Sequence, residues 1–293
     1  MNNMDKSEIQ AIIKLVDDPD PKVFKDVSKI IIEKGNQFVP FLEESWVYNS
    51  NIEYQDRIQY LLEQIQIKDS ANNIKKWKQN PNRDILDLIT IIEKTVLMHD
   101  DFLDIKQRIE LLNKEIWLDL NNNFTAIEKL KIINYHIFVK NNFKSVDTIS
   151  TNSLLFSSFL DTKQVFVFML GLVYEYLCEK NNISVRLINT PNLVLLAYFD
   201  EITASIAFAT EDHHNIVCFV HPSQNGLIIG RNIVDDYYEK NAITAKPEHF
   251  KPLTDIERGL IIIDFHIQAI KNNPKSKIIK GFLEEIKNEL IKA

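Results

Sequence analysis

Two cysteines, Cys178 and Cys218, and three histidines close together in the chain, His213, His214 and His221, are the residues best suited to nucleophilic or metal chemistry. A thiol acts as a nucleophile only when a base or positive field favours its thiolate, and a structural zinc needs four converging ligands. The cysteines have neither the spacing of a disulfide framework nor the partners of a zinc site, so both read as buried thiols. Adjacent residues on a strand point to opposite faces, so only one of His213 and His214 could join His221 in a site. The run Asp212-His213-His214-Asn215 reads more simply as an exposed hairpin turn. We expect no metal and no cofactor. The six glycines form neither G-x-x-x-x-G-K-[ST] nor G-x-G-x-x-G, and H-E-x-x-H is absent, which argues against a nucleotide enzyme. His136 and His266 fall on apolar helical stretches and read as hydrogen-bonded core or boundary residues. Asp235-Asp236, beside Tyr237-Tyr238, reads as the cap of a short helix, with a partner-binding edge as the other reading.

The elements that would position these groups can be read from hydrophobic period and punctuation. A chain of 293 residues, 45% hydrophobic and 26% charged, holds two or three packed units. The net charge of −7 argues against a general nucleic-acid binder. The first ten residues lack the apolar core of a signal peptide, and the longest uncharged apolar run, Gln164 to Tyr174, is too short for a bilayer, so we expect a cytoplasmic protein without membrane contact. Ser7 with Gln10 reads as a capping box ahead of Ile9, Ile12, Ile13 and Val16. Asp17-Asp18-Pro19-Asp20-Pro21 breaks that helix and starts another, which Gly35 closes, and Pro40 opens a third. Two short helices joined by an Asp/Pro turn suggest a HEAT-like beginning. The stretches Glu53 to Ile67, Arg83 to Met98 and Asp101 to Trp117 extend it as an irregular helical array. Trp46, Trp77 and Trp117, at helix ends, read as edges of a core.

Thr125 with Glu128 is a second capping box, opening a helix with Leu130, Ile133, Ile137 and Phe138 on its buried face. A short helix ends near Leu160. Val165 to Lys180 is then apolar almost all round in its first half, the pattern of a central helix. Strand periodicity follows over Val185 to Ile188, Leu193 to Phe199, Ser205 to Ala209, Ile216 to His221 and Leu227 to Ile229. A buried helix followed by an antiparallel meander is an α+β domain.

The order DDPDPKVF, WLDLNNNFTAIEKLKIINYHIF, an Asn-Ser loop, a buried helix, TPNLVLLAYF and FVHPSQNG resembles the SirB-type transglutaminase-like family over most of the chain. The resemblance implies a helical N-terminal region (1–118), a transglutaminase/papain-like α+β domain with an antiparallel sheet (119–250) and a C-terminal helix pair of tetratricopeptide-like kind (251–293). In the wider fold a thiolate at the start of the buried helix attacks an acyl carbon, a His on the next strand relays the proton, and an Asp or Asn on the following strand orients that His. Here the helix start, Lys163 to Met169, holds no Cys, Ser or Thr, where the family shows Lys-Gly-x-Pro-x-Ser. The Pro-x-His-Phe strand motif reads Thr190-Pro191-Asn192-Leu193, with Asn192 at or next to the His position. The Asp/Asn-Pro-Phe motif reads His221-Pro222-Ser223. All three roles are altered, and an amide is no general base near neutral pH.

The resemblance therefore implies a catalytically degenerate member with no catalytic residues, binding a protein or peptide partner in the old acyl groove near Lys163, Phe168, Asn192 and His221. The alternative is a cysteine-dependent hydrolase or acyltransferase with a rearranged site using Cys178 or Cys218. Against it, Cys178 lies roughly 15 Å along the helix from its start.

Overall fold

The computed structural model describes residues 4–97, 105–121, 123–200, 202, 215–271 and 276–292. The chain divides into two compact units, Met1–Asp100 with Lys277–Ala293, and Asp101–Ser276. His213 and His214, and the expected strand Ser205 to Ala209, lie outside the described residues.

The first unit is helical: α1 (Lys6–Lys14), α2 (Pro21–Lys34), α3 (Val39–Tyr48), α4 (Ile52–Gln79), α5 (Ile85–Leu97) and, from the C-terminal end, a helix over Ser276–Ile291. The first helix begins earlier than Ser7 and Gln10 suggest. Asp5 is its cap and Glu8 completes the box, because a carboxylate ahead of the first turn accepts from the free amides there. Asp20 caps α2 with Pro21 in the first turn, as the Asp/Pro run implies. Gly35 ends α2 at φ 60°. Ile9, Ile13, Val16, Ile31, Phe38, Leu42, Ile58 and Leu61 share one core. Arg57 closes its edge by donating to the carbonyls of Val16 and Asp18 at 2.9 and 2.7 Å.

Helix α4 runs well beyond Ile67, since nothing breaks it before Asn80, and Ile74 and Trp77 keep a buried face there. Trp77 is buried and donates its indole N–H to the Asp84 carbonyl at 2.7 Å, whereas Trp46 and Trp117 are exposed rather than set into core edges. Near the end of α4, Lys78 donates to the Glu289 and Leu290 carbonyls, both at 3.2 Å, where the last helix leaves its carbonyls without partners.

The second unit is α+β. It comprises α6 (Ile105–Asp119), α7 (Ala126–Asn134) continuing as π-helical turns over Tyr135–Lys140, β1 (Lys144–Val146), α8 (Thr151–Leu154), α9 (Phe156–Thr162), β2 (Gln164–Phe166) and α10 (Val167–Lys180). There follow β3 (Val185–Leu187), β4 (Leu196–Phe199), β5 (Ile216–His221), β6 (Leu227–Ile229), α11 (Arg231–Lys240) and α12 (Asp255–Ala269). In this numbering Ser276–Ile291 is α13. Thus the C-terminal stretch holds two helices, α12 grouping with the second unit and α13 with the first.

The sheet β3-β4-β5-β6 is an antiparallel meander. A separate parallel pair, β1 and β2, aligns Lys144 with Gln164 and Val146 with Phe166. α10 is buried from Phe168 to Cys178 and lies close on the sheet: a Cβ on Gly171 would stand 2.9 Å from Leu187 Cδ2. Both Thr125 and Thr254 make reciprocal capping boxes, with Glu128 and Glu257. Asp235 and Asp236 sit in the second turn of α11 rather than capping it. Asp235 accepts instead from Arg231 Nε at 2.8 Å, one turn back. Among the described residues no helix is long and apolar enough to cross a membrane.

Candidate functional site

The start of α10 opens on a cavity of about 480 Å³ within the second unit. Its floor is Phe166, Val167 and Phe168, where β2 turns directly into the helix. One wall is the end of β3 and the loop leading to β4, including Thr190, Asn192 and Leu193. Leu253, with Ile261 and Phe265 of α12, also lines the cavity. The segment before α12 is tied to the end of β3: Leu253 donates its amide to the Leu187 carbonyl at 2.8 Å, and Ile188 bridges Pro252. Phe265 packs edge-on against Phe166 and Phe168, with ring centroids 4.8 and 5.6 Å away. Such pairs fix ring geometry as well as burying area. The wall is thus largely apolar, with Asp147, Asn189, Thr190, Asn192 and Ser223 adding polar groups. The buried Thr190 hydroxyl oxygen has no hydrogen-bond partner, which leaves it able to bond a ligand.

The four residues expected to share a groove do not all meet in this cavity. Phe168 and Asn192 line it; Lys163 and His221 are not among its lining residues. Lys163 ends α9 in the left-handed conformation, φ 62°, and holds its ammonium 4.9 Å from the centre of the Phe143 ring. Asn192 is also left-handed, φ 56°, and its carbonyl accepts from the Tyr237 hydroxyl at 3.4 Å. His221 ends β5, and its Nδ1 lies 3.0 Å from the Ser223 hydroxyl, which does line the cavity. Partial burial lowers the His221 pKa, keeping the imidazole neutral. The Ser223–His221 pair was not a candidate in the sequence, although a hydroxyl two residues after a His at a strand end was visible there.

Cys178 and Cys218 are both buried and neither lines the cavity. Burial drives the Cys178 thiol well above its ordinary range, and the nearby Glu175 charge adds to the rise. Burial alone lifts Cys218 to about 11. Both are protonated at neutral pH, and neither is a thiolate nucleophile there. Among the described residues no three His, Cys, Asp or Glu side chains converge as a metal site would require.

Further along α10, Glu175 is buried between Arg258 Nη1 at 3.2 Å and Arg186 Nε at 3.8 Å. Burial outweighs both guanidiniums and raises its carboxyl to about 7. His136 is buried with Nε2 2.7 Å from Asp119 Oδ2. His266 is buried too, but neither ring nitrogen has a hydrogen-bond partner, so it is a core residue without the bond expected of it.

The family model of the transglutaminase-like superfamily matches residues 103–259, more than half of the chain and nearly the whole second unit. The chain belongs to the transglutaminase-like superfamily. No curated protein and no solved structure matches it.

Proposed function

We propose that the second unit is a non-catalytic transglutaminase-like domain, of the SirB type, that binds a protein or peptide partner through the cavity at the start of α10. The observation carrying this reading is the make-up of the cavity at the start of α10: where the superfamily's nucleophile belongs stand Phe166, Val167 and Phe168, with Phe166 and Phe168 packed against Phe265. The protonated, buried state of both thiols supports it. An apolar cleft with a few polar groups at its edge suits one or two large apolar side chains of a peptide, with the Thr190 hydroxyl and the Asn192 amide positioned for its backbone.

The test is peptide selection from a displayed random library on the full chain, with hydrogen exchange mapping the footprint of the selected peptides. Protection at 166–168, 189–194 and 261–265, lost together with binding in Asn192→Arg, is the expected result. Peptides that bind equally well to Asn192→Arg would remove the reading.

One observation favours a second reading. Ser223 on the cavity wall lies within hydrogen-bond reach of a neutral imidazole, the contact a serine hydrolase needs between nucleophile and base. Among the described residues no carboxylate is hydrogen-bonded to His221 to orient it. Treatment with a fluorophosphonate probe decides between the readings. Modification of Ser223 that disappears in His221→Gln would make the domain a hydrolase; an unmodified Ser223 supports the binding domain.

A further inference from the structure

A second cavity, of about 380 Å³, lies in the same unit beside the π-helical turns after α7. It is separate from the cavity at the start of α10 and shares no lining residue with it. Its apolar surface comes from Tyr135, Phe138, Val139 and Phe143, and Lys131 of α7 and Lys144 of β1 also line it. Tyr135 and Val139 are exposed, an uncommon state for large apolar side chains facing one hollow. Lys131, Tyr135, Phe138 and Val139 follow the i, i+4, i+7, i+8 spacing of one helix face, the last three within the π-helical stretch, a feature that recurs at functional sites.

The wall is also rigidly held. Asn134 accepts from the Tyr174 hydroxyl at 2.9 Å and donates to the Gly226 carbonyl at 2.7 Å, pinning the turn that carries Asn225 against the helix. That turn comes so close that a Cβ on Gly226 would sit 2.1 Å from Asn134 Oδ1. No carboxylate is among the residues lining the cavity; Glu128, one turn before Lys131, interacts with that lysine, and Glu115 pairs with Lys140 rather than with either lining lysine. A third ammonium, that of Lys163, stands over the ring of the lining residue Phe143, 4.9 Å from its centre. Positive charge on a preformed aromatic hollow selects for negative charge on an apolar body.

We propose that this cavity binds a small amphipathic anion, with an aromatic or aliphatic body against Tyr135, Phe138, Val139 and Phe143 and an acidic group between Lys131 and Lys144. The test pairs two fluorescent probes on the full chain: 1-anilinonaphthalene-8-sulfonate, and the uncharged N-phenyl-1-naphthylamine. In Lys131→Met/Lys144→Met the sulfonate should bind about tenfold more weakly, the sum expected of two exposed ion pairs, with the neutral probe unchanged. Val139→Trp, which fills the hollow, should weaken both probes.

Amide shifts of the wild-type protein on titration with the sulfonate supply a readout that needs no variant. Shifts centred on 131–144 and 225 support the site. Shifts centred elsewhere, an unchanged sulfonate affinity in the double-lysine variant, or an equal loss of the neutral probe there would overturn it.

Discussion

Replacing His266 with leucine tests whether an imidazole without partners is held in the core of the second unit. His266 is buried in α12 with both nitrogens lacking hydrogen-bond partners, and burial lowers its pKa to about 4. In the unfolded chain the same ring titrates near 6.5. Above that value neither state binds the proton and the group adds nothing to pH dependence. As pH falls from 6.5 towards 4, the unfolded chain takes up a proton that the fold refuses, so stability is lost through that window. At about 1.4 kcal/mol for each pH unit separating the two values, the loss is about 2 kcal/mol at pH 5 and about 3 kcal/mol at pH 4.

His266→Leu keeps similar volume, removes the buried polar nitrogens and removes the titration. We expect it to be more stable than the wild type by about 1 to 2 kcal/mol at pH 7.5, the usual cost of unpaired buried polar groups. That advantage should widen by about 2 kcal/mol at pH 5. Urea unfolding at each pH gives the difference, and hydrogen exchange of Asp255–Ala269 assigns the transition to the second unit. Comparing the two proteins at equal pH cancels the other titrating groups, including Glu175, whose raised pKa acts in the opposite sense. A difference that stays flat from pH 7.5 to 4.5 would refute the reasoning, because it would mean that the folded state protonates His266 as readily as the unfolded chain does.

Arg258→Met should cost about 3 kcal/mol at pH 8, where the buried Glu175 carboxylate loses its closer guanidinium, and much less at pH 5, where a carboxyl raised to about 7 already holds its proton; urea midpoints at the two pH values measure this. Gly226→Ala should destabilise the second unit by about 2 kcal/mol, since φ is 74° and the added methyl meets Asn134, and part of that cost should vanish in an Asn134→Ala background, read by thermal unfolding of the double-mutant cycle. Thr254→Ala should cost about 1 kcal/mol by freeing the amide of Glu257 at the start of α12, with faster hydrogen exchange there as the local signature. Iodoacetamide should leave Cys178 and Cys218 unmodified in the native protein at pH 7.5 and modify both only after denaturation, as mass spectrometry of the digested protein would show.

What was legible in the sequence is what short-range chemistry decides. Thr125 and Glu128, or Asp20 and Pro21, determine a helix start within four residues, and the short apolar, β-branched run Ile216 to His221 bounded by turn residues is sufficient to mark a strand. The helix start at Asp5 was obscured because Ser7 and Gln10 offer the same pattern two residues later. A carboxylate competing with a hydroxyl for the same free amides is decided by backbone geometry, not by composition. The pair β1 and β2 was illegible for a different reason. Each strand is three residues long, and its pairing depends on a partner about twenty residues away, across a loop and two short helices.

The cavity at the start of α10 combines both cases. Phe168 and Asn192 could be placed near it from their motif positions, but Ile261 and Phe265 could not, because a helical period shows which face of α12 is apolar and not what that face will meet. The same limit explains Ser223. Its hydroxyl becomes notable only when the turn after β5 folds it back onto the imidazole of His221 and the packing of α12 encloses the hollow it faces. Local spacing therefore shows which side chains stand at each motif position, while tertiary packing decides what the cavity between them can hold.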